Sequence, residues 1–85
     1  MKLLPNQDTF EKTQLSVIED VPNIIDESTE GTTYIGYAKR GTALDQPNWR
    51  IKKIVTVDGI TTVGYVDGKL NFNYIWNNRA SYTYL

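Results

Sequence analysis

Apolar and polar positions along the chain follow a strand-like pattern in some stretches and lose it in others. Thr32-Thr33-Tyr34-Ile35-Gly36-Tyr37-Ala38 is β-branched and aromatic, which suits a pleated, half-buried surface and predicts a first strand. Trp49-Arg50-Ile51-Lys52 alternates apolar and charged residues until Lys53-Ile54 breaks the phase. A second strand running to about Val57 is therefore predicted, with a one-residue bulge at the lysines. Between the two, Lys39 to Asn48 contains Gly41, Asp45 and Pro47 and has no periodicity, so it reads as a loop long enough to be functional. Val57-Asp58-Gly59-Ile60 predicts a two-residue type I′ hairpin, because Asp-Gly supplies the two positive φ values that turn requires. Ile60 to Val66 returns as a third strand, and Val66-Asp67-Gly68-Lys69 repeats the turn signal, making a meander.

Two periods compete in the next segment. Alternation would place Leu70, Phe72, Tyr74 and Trp76 on one strand face, whereas Phe72, Ile75, Trp76 and Arg79 fall at helical spacing with Asn71 available as a cap. The helical reading predicts one or two turns over 71–78, with the Arg79 guanidinium over the Trp76 indole, and Ala80 to Leu85 as a final strand. The expected fold is all-β, a small sandwich or barrel-like meander, with that short helical turn and an extended acidic arm. The β domain is expected over 32–85 and the arm over 1–31. Trp49, Gly59, Gly68, Phe72, Trp76 and Arg79 are expected to be structural.

The arm has apolar residues only in small groups, Val17-Ile18, Val21 and Ile24-Ile25, set among acids and interrupted by Pro5 and Pro22. That is too little apolar surface for a core of its own. It is expected to dock on another surface, most simply by adding an edge strand through Gln14 to Ile18, with Leu15, Val17 and Ile18 at the interface. Charge supports docking. The net charge of −1 conceals two lysines against seven acids in residues 1–31, and seven bases against three acids in the remainder. Opposite fields attract, so the arm is expected to pair with a basic body, its own or a neighbour's.

Composition narrows the chemistry. Eighty-five residues allow one core, and a chain of this size usually needs a disulfide, a metal or a partner for support. With no cysteine and no histidine, disulfides, thiolate zinc sites and the usual nucleophile-base pairs are excluded. Asp58 and Asp67 could pair as acid and base, but an aspartate before glycine is already explained by its turn. Asp26, Glu27 and Glu30 lack the ordered spacing of a calcium loop. The chain is therefore expected to be no enzyme and to carry no metal or cofactor. The first residues hold an apolar run too short for a signal peptide, and no later stretch is long enough to span a membrane, so folding in a reducing cytoplasm is expected. One group stands out: Lys39, Arg40, Arg50, Lys52 and Lys53 beside Tyr34, Tyr37 and Trp49. Bases interleaved with aromatics suit a ligand-binding β module for a glycan or single-stranded nucleic acid. The overall pI near 5.2 and the placement of Trp49 opposite the charges weigh against nucleic acid.

Tyr34-Ile35-Gly36-Tyr37-Ala38, Gly41-Thr42-Ala43, Trp49-Arg50-Ile51-Lys52-Lys53-Ile54 and Phe72-Asn73-Tyr74-Ile75-Trp76-Asn77-Asn78-Arg79-Ala80-Ser81-Tyr82-Thr83-Tyr84 together resemble a block found in small virion proteins of tailed bacteriophages. The block covers about residues 33 to 84, and the sequence departs from it at Val66, where the pattern has tryptophan or alanine. The resemblance implies a structural or accessory component of the particle, without enzymatic activity, at the capsid, tail, fibre or connector. Its implied partners are other virion proteins and copies of itself, rather than membrane, nucleic acid or small-molecule substrates. The implied location is the virion, assembled in a bacterial cytoplasm. Lys39, Arg40, Arg50, Lys52 and Lys53 join the arm residues as candidate interface positions.

Overall fold

Residues 21–85 are described by the structure, a computed structural model. Four strands, β1 (Ile24–Thr29), β2 (Thr32–Tyr37), β3 (Arg50–Val57) and β4 (Ile60–Tyr65), form one antiparallel sheet in chain order. Asp58 and Gly59 take φ of 52° and 80° and join Val57 to Ile60, which face each other across the β3–β4 hairpin. Asp67 and Gly68, at 54° and 68°, make the second tight turn.

The sheet begins earlier than expected. β1 lies in the segment assigned to a separate arm, and the boundary drawn at residue 32 falls within a hairpin whose Thr29 faces Thr32. A lone Ile24-Ile25 pair followed by Asp26, Glu27 and Ser28 gives little strand signal by itself; the edge of β2 supplies the missing backbone partners. The edge strand expected at Gln14 to Ile18, with Leu15, Val17 and Ile18, lies outside the described residues.

No bulge occurs at the lysines. β3 pairs without interruption from Arg50↔Tyr37 to Val55↔Thr32 on one side and from Lys52↔Tyr65 to Val57↔Ile60 on the other. Consecutive lysines are tolerated because each lies over aromatic rings on its own face: Lys52 Nζ is 5.5 Å from the Tyr37 centroid and 5.7 Å from that of Tyr65. Lys53 Nζ lies 5.8 and 5.5 Å from Tyr34 and Tyr84 on the opposite face. The irregularity in pairing falls in β1, between Asp26 and Thr29.

Among the described residues the second layer is not a sheet, so residues 21–85 form neither the sandwich nor the barrel the sequence suggests. One face, carrying Ile24, Tyr34, Gly36 and Ile51, is covered by the C-terminal segment. Tyr74 exchanges two backbone hydrogen bonds with Trp49, at 2.9 and 3.0 Å, and this extended bridge keeps Asn71 to Ile75 out of a helix. The helical turn comes later than expected, as a 3₁₀ helix over Trp76–Ser81 with no side-chain cap. Its end at Ser81 shortens the expected final strand to a bridge between Tyr84 and Val66.

Trp49, Ile51, Val66, Trp76 and Ala38 form the core, with the two indoles 5.9 Å apart at 42°. Gly36 allows Trp76 to lie directly on β2, since a Cβ there would stand 2.7 Å from Trp76 Cε3 and 2.8 Å from Ile24 Cγ2. Arg79 closes the cover: its Cζ is 4.6 Å from the Trp76 ring, and its Nε donates to Asp26 Oδ2 at 2.9 Å. Among the described residues, one acid of the N-terminal part, Asp26, thus pairs with one base of the remainder, Arg79, within the same chain.

Asp26 also accepts from the Ser28 hydroxyl at 2.6 Å and the Ser28 backbone N–H at 2.9 Å. The Ser28 bonds, followed by Arg79, hold its pKa down to about 2. Because the unfolded value is about 3.9, the folded state binds fewer protons between the two, and stability falls as pH drops through that window. Thermal melts taken from about pH 5 down to about pH 2 should therefore show a shallower decline for Asp26→Asn than for the parent. Identical slopes would contradict this role for Asp26.

Candidate functional site: the bare face of the sheet

Strand register places the opposite face in rows, because residues paired across antiparallel strands point to the same side. Tyr37 and Arg50 make the first row, Ile25, Ile35, Lys52 and Tyr65 the next, then Thr33, Ile54 and Val63, and finally Thr56 and Thr61. Its centre is apolar and open: Ile25 is 54% and Val63 56% exposed, with Ile35 and Ile54 half-buried between them.

One end of the face is cationic and aromatic. Arg50 Cζ lies 4.5 Å from the Phe72 centroid and 5.4 Å from that of Tyr37, and its Nε donates to the Leu70 carbonyl at 3.2 Å. Lys52 continues the stack between Tyr37 and Tyr65, and the Tyr37 hydroxyl beside it raises its pKa. The other end carries hydroxyls, with Thr56 and Thr61 hydrogen-bonded to one another at 2.9 Å. Beyond it the β3–β4 hairpin ends in Val57 and Ile60, both mostly exposed.

The five candidate bases are split up. Arg50 and Lys52 share the bare face, Lys53 points to the covered one, and Lys39 and Arg40 are exposed in the loop after β2. Trp49 is buried, and its Nε1 donates to the Ala43 carbonyl at 2.9 Å, so it braces that loop from inside the core. Beside the loop a cavity of about 300 Å³ is lined by Lys39, Thr42, Asn48 and Phe72. Asp58 and Asp67 stand in turns at opposite ends of β4, too far apart to share a proton or a substrate. Among the described residues no group of three or more acidic side chains could hold a metal ion, and no helix is long and apolar enough to cross a membrane.

Ile25, Ile35, Ile54, Val63 and Tyr65 were not among the sequence candidates. Part of the signal was available: once Asp58-Gly59 is a two-residue turn, Val57↔Ile60 fixes Ile54 opposite Val63 and Lys52 opposite Tyr65. Ile25 could not be placed in this way because its strand was not recognised. Compared with protein-family models, with curated proteins and with solved structures, the chain has no match.

Proposed function

We propose that this chain is a non-enzymatic structural component of a bacteriophage particle, joining copies of itself or other particle proteins through the bare face of its sheet. The observation that carries the assembly reading is the diagonal band of Ile25, Ile35, Ile54 and Val63, drawn from two neighbouring rows, on a face without a second layer among the described residues. An antiparallel sheet can leave one face to water, but that face then ordinarily alternates to polar residues. Here Arg50, Lys52, Thr33, Thr56 and Thr61 flank a diagonal band of Ile25, Ile35, Ile54 and Val63, and contiguous apolar surface with a polar rim is the usual mark of an interaction site. Small size and the absence of cysteine also support a domain that gains stability from a partner.

A partner sheet stacked about 10 Å away would complete, between chains, the two-layer packing that a sandwich makes within one. The particle itself, whether at the capsid, tail, fibre or connector, is supported by the resemblance over residues 33 to 84. Mass spectrometry of particles purified from a lysate of the encoding phage is expected to find the chain at a fixed copy number. Recovery only in the soluble fraction after the particles are pelleted would end the virion reading.

A further inference from the structure

The loop from Lys39 to Asn48 and the cavity beside it lie outside the apolar band of the assembly face and adjoin that face through Phe72. We propose that this cavity binds a single acidic sugar unit, a pyranose carrying one carboxylate, as it occurs in surface glycans. The inference stands apart from the assembly reading, since neither requires the other.

The loop forms a built wall. The Thr42 N–H and hydroxyl both donate to the Lys39 carbonyl, at 3.1 and 2.7 Å, and the Gln46 N–H donates to the Ala43 carbonyl at 3.2 Å. The Asn48 N–H reaches the Gln46 carbonyl at 2.8 Å, while Trp49 Nε1 and the Asn77 N–H pin Ala43 and Leu44 to the core side. A loop held in this way has lost most of its ordering entropy before any ligand arrives. Opposite it, the Phe72 ring is held by the Arg50 guanidinium stacked at 4.5 Å, and Arg50 is in turn bonded to Leu70.

The lining chemistry matches one ring rather than a polymer backbone. Phe72 offers a flat apolar surface for the C–H face of a pyranose. The Asn48 side chain has both a carbonyl and an amide N–H₂, which together can meet neighbouring hydroxyls, and the Thr42 oxygen retains accepting capacity. Among the described lining residues Lys39 supplies one cation, enough for one carboxylate. Single-stranded nucleic acid would need a run of cations along a groove. Among the described residues, Lys39 is the base that lines the cavity: Arg40 and Lys69 do not line it, Arg50 and Lys52 lie over aromatic rings, and Lys53 is on the other face of the sheet.

The test is an amide-resolved NMR titration of the full chain with methyl glucuronide, its neutral counterpart methyl glucoside, and an oligothymidylate. Saturable shifts centred on Lys39, Thr42, Asn48 and Phe72 are expected with the glucuronide, and binding of the glucoside about fivefold weaker or more, the size of one exposed charge contact. Lys39→Gln and Asn48→Ala, both at exposed positions, should weaken the glucuronide by a similar factor while leaving the remaining spectrum in place. The proposal is overturned by the absence of saturable shifts at the cavity, by equal affinity for the glucoside, or by unchanged affinity in both variants. Tighter binding of the oligothymidylate at the same residues would overturn it in favour of nucleic acid.

Discussion

Trp49→Ala lowers the unfolding free energy by about 3 to 5 kcal/mol, the usual cost of deleting a buried tryptophan. Three losses combine at this position. The ring is 2% exposed and packs against Trp76 at 5.9 Å, so its removal leaves a cavity at the centre of the core. Its Nε1 bond to Ala43 disappears, which releases the loop from Lys39 to Asn48. The backbone bridge to Tyr74 then loses the packing around it. A chain of this size has a total stability on the order of 5 to 10 kcal/mol, so the variant should sit near its unfolding midpoint in mild denaturant. Urea titration followed by tyrosine fluorescence and circular dichroism measures the loss. A loss below about 1 kcal/mol would show that the indole is not the centre of the core.

Gly36→Val is the second large effect. Glycine in a strand is ordinarily a weak choice, and replacing it with a β-branched residue should help by up to about 1 kcal/mol if only backbone propensity mattered. Gly36 is not among the positive-φ residues, so the backbone raises no objection. Space does: even a Cβ would approach Trp76 Cε3 to 2.7 Å and Ile24 Cγ2 to 2.8 Å. Trp76 cannot easily retreat, since Trp49 packs against it and Arg79 stacks on it while bonded to Asp26. Overpacking of this kind costs about 1 to 3 kcal/mol, which outweighs the propensity gain. Gly36→Ala should show a smaller loss in the same direction, and a valine variant as stable as the parent would mean that Trp76 does not lie on β2.

How far the chain discloses its own structure depends on how local each determinant is. The Asp58-Gly59 hairpin was legible because the turn requirement sits in two adjacent residues, and the register of β3 and β4 follows from it. β1 was not legible, because Ile24 to Thr29 is a strand only in the presence of β2, and its Asp26 is accommodated by Arg79, far away in the sequence. The helical turn was placed too early for a similar reason: Phe72, Ile75 and Trp76 have helical spacing, but Tyr74 is taken by a backbone bridge to Trp49. At the site, the basic and aromatic residues were visible while their grouping was not. Lys52 and Lys53 look alike in sequence and part to opposite faces as soon as β3 runs without a bulge. Of the cavity residues, Asn48 carried no signal beyond membership of a long loop and Thr42 none beyond the Gly41-Thr42-Ala43 segment of the resemblance, since their juxtaposition with Phe72 is a product of tertiary packing.

The bare face, bearing Ile25, Ile35, Ile54 and Val63, is the proposed interface. Light scattering of the full chain across a concentration series, beside the double variant Ile25→Lys and Val63→Lys, tests it most directly. Both positions are more than half exposed in the single chain, so the lysines should leave folding intact while placing a charge at each end of the apolar band, on the outer strands β1 and β4. The parent is expected to assemble with rising concentration, and the double variant, with an unchanged circular dichroism spectrum, to stay monomeric. A parent that remains monomeric throughout, or a double variant that assembles as well as the parent, would contradict it.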